Sequence, residues 1–332
     1  MSLQQGELDL GVLKDRFAII TGAGNYGIGW GLARHAATKL NMHIVLIDLY
    51  SSTVESAAKE LQALAPSRKI IPIACDVTNE ADLEGVLSKL DIDHAGISIG
   101  AVFANAGVIF NNTILNSGIE DWETTLNVNI MGVVKTIKTF LPRLQAQEQA
   151  SVFCNTASVG GLVRGDGGAA SYQASKHAVV ALSESLSFEI ARKSPQIRVH
   201  VLCPCIVTSS LLQSSQKNKA LQKDKNEETE ISPIRPEKTE LGMSPERHAE
   251  QVFNLISAGK FYVITDNVRP YVDHDFPFDS ADIIAERHRN MASLDLDNAD
   301  AFSSESGTSH PSSILKGALF KEARRRTQAK EN

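Results

Sequence analysis

From residue 17 to about residue 264, short runs of continuous apolar residues alternate with longer stretches in which apolar positions recur at helical spacing. The runs at 17–21, 43–48, 69–74, 97–104, 151–156, 198–202 and 261–264 lack the in-out alternation of a half-exposed strand. They therefore read as strands buried on both faces. The stretches at 27–40, 53–65, 80–90, 121–147, 171–193 and 244–258 read as helices, several with apolar residues at i, i+3, i+4 and i+7. Strands alternating with covering helices predict an α/β fold, a doubly wound seven-stranded parallel sheet of the Rossmann type, as one domain over residues 1–267.

Two segments break the rhythm. Residues 213–243 are rich in Lys, Gln, Glu, Ser and Asn, so they are expected to be a mobile insertion, placed to act as a lid. Residues 268–332 form a C-terminal extension, with short helices expected near 281–290 and 314–329.

Composition narrows the picture. A formal charge of -6 gives no electrostatic reason to expect nucleic acid or an anionic membrane, so a small molecule is the expected partner. The N-terminus has no basic segment followed by an apolar run, and the longest uncharged stretch, 96–119, is broken by glycines and asparagines. Cys75, Cys154, Cys203 and Cys205 have neither disulfide-scaffold nor zinc spacing. These features point to a reduced, cytoplasmic protein with no metal site.

The first strand runs into Gly22-Ala23-Gly24-Asn25-Tyr26-Gly27-Ile28-Gly29 and then a helix. Glycines at that junction let backbone approach a pyrophosphate, and the helix N-terminus offers unpaired N–H groups. Gly22, Gly24 and Gly27 satisfy G-x-G-x-x-G. Asp48 ends the second strand 21 residues beyond Gly27, where a carboxylate accepts both hydroxyls of an adenosine ribose. A 2'-phosphate would be repelled there, and Leu49 and Tyr50 supply no cation, so NAD is favoured over NADP.

Tyr172 and Lys176 lie four apart at the start of a strong helix and share a face. A nearby ammonium favours the phenolate and turns the tyrosine into a usable acid or base.

With these motifs in order, the chain resembles the short-chain dehydrogenase/reductase family over roughly residues 15–266. The resemblance implies that Asn105, Ala106 and Gly107 steady the sheet beside the cofactor and that Asp76 and Val77 lie near the adenine. It implies that Asn129, rather than Asn127, holds a water linked to the active-site lysine. Ser158 would hold the substrate oxygen, Tyr172 would exchange the proton, and Lys176 would grip the nicotinamide ribose. Val207 would meet the carboxamide, and Thr208 or Ser209 the nicotinamide or phosphates. A homodimer or homotetramer built on the long helices is also implied.

The chain departs from the family pattern at Tyr26, an apparent insertion in the glycine turn, and at Cys205, which replaces a glycine. The expected activity is hydride transfer between NAD(H) and an alcohol or carbonyl group. The alternative is a dinucleotide-binding regulatory protein without turnover. A largely apolar substrate pocket is expected from Ile109, Phe110, Val159, Leu162, Val163, Arg164, Leu211 and Leu212.

Overall fold

The computed structural model describes residues 5–24, 26–162, 168–223 and 242–265, all within one unit, Gln4–Ser280. The expected helices of the C-terminal extension, together with Asn25, Val163 and Arg164, lie outside the described residues.

Seven strands form one sheet: β1 (Phe17–Thr21), β2 (His43–Asp48), β3 (Ile70–Ala74), β4 (Ile99–Ala104), β5 (Ser151–Thr156), β6 (Ile197–Leu202) and β7 (Tyr262–Val263). Their order is β3-β2-β1-β4-β5-β6-β7, and every neighbouring pair is parallel. The chain winds outward from β1 in one direction and returns through β4 in the other. That reversal leaves a crevice beyond the carboxyl ends of the strands, where open α/β sheets bind ligands.

Helices α1 (Ile28–Thr38), α2 (Ser51–Leu64) and α3 (Glu80–Asp93) follow β1, β2 and β3. The single helix expected at 121–147 is instead α4 (Ile119–Leu126), a π-helical turn at Asn127–Met131, and α5 (Gly132–Gln145). The turn brings the Asn129 side chain inward, where it is fully buried. A π-turn inside a helix commonly marks a functional position. Next come α6 (Ala170–Lys193), α7 (Leu211–Lys223) and α8 (Pro245–Ser257).

Helix α7 corrects the expectation of a loop from residue 213. Its Gln, Lys, Ala and Leu residues are good helix formers, so backbone preference makes a helix where the polar sequence concealed one. Residues 224–241 are outside the described set, and beyond them Met243 is buried and forms a parallel bridge with Val207.

One core contact fixes the pairing of α1 with α8. A Cβ on Gly31 would lie 2.3 Å from the Pro245 carbonyl oxygen, backbone that cannot yield cheaply. Gly31→Ala is therefore expected to destabilise the fold by about 1–3 kcal/mol through overpacking, although alanine is the better helix former. A denaturant midpoint equal to or above that of the parent protein would refute this.

Candidate active site

A cleft of about 470 Å³ opens at the carboxyl ends of the strands. It runs from Asp48, Tyr50, Cys75 and Asp76 past Asn105 to Gly107, and on to Ser158, Tyr172 and Lys176.

The glycine turn forms its floor. Gly22 has φ +68°, and a Cβ there would stand 2.8 Å from the Ala106 Cα. A Cβ on Gly29 would meet the Gly22 carbonyl oxygen at 2.4 Å, so the turn closes only without side chains. Gly27 caps α1 without any side-chain hydrogen bond, and Gly27, Ile28 and Gly29 line the cleft. The first-turn amides of a helix have no intrahelical acceptor, so this end suits an anion.

Gly24 and Tyr26, both expected at the cofactor, do not line the cleft. Gly24 packs behind Asp48 and donates its N–H to Asp48 Oδ2 at 2.8 Å. Tyr26 turns away: its ring is buried edge-on to Trp30, with centroids 5.3 Å apart, and its hydroxyl donates to Glu60 Oε2 at 2.7 Å. The inserted residue thus contributes a buried ring against α1 and a hydrogen bond to α2 rather than a contact to ligand.

Asp48 is half-buried at the end of β2, and burial pushes its carboxyl pKa up against two opposing backbone donors, Gly24 and Leu49. Each carboxylate oxygen keeps a lone pair beyond those bonds. Asp76 and Val77 line the same end, and Asp76 Oδ1 accepts from the Thr78 amide and hydroxyl at 2.8 Å.

Asn105 ties three strands together. Its side-chain amide donates to the Thr21 carbonyl at 3.0 Å, its Oδ1 accepts from Thr156 Oγ1 at 3.2 Å, and Thr21 Oγ1 accepts from the Asn105 and Ala106 amides. Lys176 is buried and donates to the Thr156 carbonyl at 2.8 Å. A continuous polar path therefore links the lysine to the glycine turn.

Tyr172 and Lys176 stand one turn apart on α6, with Nζ 5.5 Å from the tyrosine ring centre. Burial pushes the phenol pKa up, and a hydrogen bond with Ser158 works in the opposite direction. Burial pushes the lysine down to about 8. Ser158 thus supplies a lowering influence on Tyr172. Ser158 approaches because the turn after it carries glycines: a Cβ on Gly161 would lie 2.5 Å from the Lys176 carbonyl oxygen.

Asn129 stands behind the cleft wall. Its Oδ1 accepts from the Val108 amide at 2.8 Å, and its Nδ2 donates to the Val108 carbonyl and to Ser175 Oγ. Ser175 Oγ in turn donates to the Tyr172 carbonyl at 2.6 Å. On the far side Val207 and Ser209 line the cleft, whereas the Thr208 amide donates to the Met243 carbonyl at 2.9 Å and Thr208 does not face the opening.

Comparison with known proteins agrees with this arrangement. The model of the short chain dehydrogenase family matches residues 16–220. The chain belongs to the short chain dehydrogenase family. It is similar to levodione reductase of Leifsonia aquatica, 27% identical over 253 residues, 75% of this chain and 90% of the relative. It also resembles meso-2,3-butanediol dehydrogenase of Serratia marcescens, 32% identical over 197 residues, 59% of this chain and 73% of the relative. Among solved structures, a short chain dehydrogenase/reductase from Burkholderia phymatum in complex with NAD matches with a TM-score of 0.66 at 28% identity, covering 78% of this chain and 92% of that one. Hydride transfer at an alcohol or carbonyl carbon is accordingly the reaction class of this dehydrogenase.

The pocket wall differs from the expected one. Phe110 and Leu211 line the dehydrogenase cleft, but Ile109, Val159, Leu162 and Leu212 do not. Instead α7 contributes Ser214, Ser215, Lys217, Asn218 and Lys219. Leu211, Ser214, Ser215 and Asn218 follow the helical i, i+3, i+4, i+7 spacing, a signal that hydrophobic periodicity cannot register because most of these residues are polar.

Proposed function

We propose that this dehydrogenase works with NAD(H) rather than NADP(H) and that Ser158, Tyr172 and Lys176 perform its proton chemistry. The observation that carries the reading is the Ser158–Tyr172–Lys176 cluster in the wall of a cleft that Asp48 also lines.

The residues present fit a dinucleotide. The glycine turn leaves room for backbone to approach a pyrophosphate, Asp48 retains acceptor capacity for ribose hydroxyls, and Lys176 stands ready for a second ribose. A bound nicotinamide supplies or takes up the hydride. Ser158 Oγ donates to the substrate oxygen and stabilises charge developing on it. Tyr172 passes its phenolic proton to that oxygen in reduction and takes it back in oxidation. Asn129 and Ser175 hold the first turn of α6 in place behind them.

The preference for NAD is supported by the set lining the adenine-side end: Asp48, Leu49, Tyr50, Cys75, Asp76, Val77 and Thr78, two carboxylates and no cation. Asp48→Ala is expected to weaken NAD binding by about tenfold. Adding Leu49→Arg is expected to shift preference toward NADP. Tighter binding of NADPH than NADH by the parent protein, measured by fluorescence titration, would overturn the assignment. With this reading go an assembly of two or four copies, supported by the length of α6, and a reducing cytoplasm, supported by four free thiols. No helix among the described residues is long and apolar enough to cross a membrane.

A further inference from the structure

Helix α7 is anchored at two points on either side of Lys217. Ser215 Oγ accepts from the Ile109 amide at 3.0 Å, fixing the helix to the loop after β4. One turn later Lys219 pairs with Asp121, whose other oxygen accepts from Asn112 Nδ2 at 3.1 Å. Lys219 also lies over the Phe110 ring, 5.4 Å from its centre. Asp121 is 3% exposed, so this is a charge pair seated in the wall rather than a loose surface contact.

Between these anchors Lys217 is half-buried and lines the cleft. Among the described residues its ammonium has neither an ion pair nor a hydrogen-bond acceptor. The cleft carries two other cations, and both are engaged: Lys176 on the Thr156 carbonyl and Lys219 on Asp121. Its carboxylates, Asp48 and Asp76, stand at the ends of β2 and β3 and already accept backbone N–H bonds. Among the described residues, a cation therefore faces the cleft with no anion beside it. A half-buried charge without a partner gives up hydration that a ligand anion restores.

We propose that Lys217 is a specificity residue that meets an anionic oxygen of the bound ligand, a carboxylate or phosphate borne by the substrate or the diphosphate of the cofactor. The inference deepens the dehydrogenase reading and rests on it. If the anion belongs to the substrate, the natural compound is an acidic ketone or alcohol rather than the largely apolar one that the sequence suggested.

The test uses the full chain, with keto acids of increasing length and their methyl esters as matched probes. The parent protein is expected to favour one acid over its ester by about tenfold in kcat/KM, the worth of a charge-assisted hydrogen bond. Lys217→Ala should erase that ratio through the acid alone, and Lys217→Arg should keep most of it. If dinucleotide Kd rises about tenfold in Lys217→Ala while the acid-to-ester ratio holds, the anion met is the diphosphate. If neither quantity moves, Lys217 is a solvated side chain and the proposal falls. Should the parent protein turn over no probe at all, these compounds are not its substrates and binding decides the question. Calorimetric Kd values for dinucleotide and keto acid would still read Lys217 independently.

Discussion

Tyr172→Phe is expected to lower turnover by roughly 10²–10⁴-fold, the usual worth of a positioned general acid or base, while dinucleotide Kd stays within about twofold. The phenyl ring preserves the packing of α6, so the loss reports the missing hydroxyl rather than a disturbed cleft. Direction and pH sharpen the test. Burial raises the phenol pKa, so in the empty cleft the proton is retained at neutral pH. Ketone reduction uses that proton and is expected to hold at low pH and decline as the phenol ionises. Alcohol oxidation needs the phenolate and is expected to rise over the same interval. Burial moves Lys176 the other way, down to about 8, so in the empty cleft the lysine gives up its proton before the phenol does. Because Ser158 is the group whose hydrogen bond lowers the phenol, Ser158→Ala is expected to move the oxidation profile to higher pH as well as reduce its height. Lys176→Ala is expected to weaken cofactor binding too, which separates it from Tyr172→Phe. Turnover surviving in Tyr172→Phe would assign the proton to another group.

How much of this was legible in the sequence follows from which forces act over short range. The strands were readable because a sheet covered on both faces excludes polar side chains, and the continuous apolar runs match β1 to β7 to within about two residues. The glycine turn was readable because backbone sterics at Gly22 and Gly29 admit no other residue. Tyr172 and Lys176 were readable because helical spacing is fixed. The π-turn at Asn127–Met131 left no comparable trace. Its effect, turning Asn129 onto the Val108 backbone, depends on a loop distant in sequence. Tyr26 was legible as an insertion but not as a buried ring, because its partners Trp30 and Glu60 lie on different helices. Helix α7 was missed for a related reason. Its inward face is polar and gains its contacts from Ile109 and Asp121, so composition suggested solvent where the structure has a wall.

The fold is expected to lose stability steeply as pH falls from about 6.5 to about 4, well before carboxylates as a class are neutralised. Two fully buried histidines set that window. His200, on β6, has Nδ1 2.8 Å from the Lys260 carbonyl, while its Nε2 has no partner among the described residues. Among the described residues His248, on α8, has no partner at either ring nitrogen. Burial pushes both down to about 4, from an ordinary 6.5. Below 6.5 the unfolded chain binds protons that the folded chain refuses, so the stability contributed by each neutral ring is present above that pH and lost through about 4. The loss approaches about 3 kcal/mol per histidine, against a total of about 5–15 kcal/mol for a typical domain. His35, stacked on Phe253 and also lowered by burial, adds in the same direction. Urea midpoints measured between neutral and acidic pH check the slope. His248→Leu is expected to flatten it by about one proton, and at neutral pH to cost little or even stabilise, because an apolar side chain leaves no buried ring nitrogen unsatisfied. A midpoint independent of pH across that range would show that these rings take up protons without unfolding, and would remove burial as the source of the sensitivity.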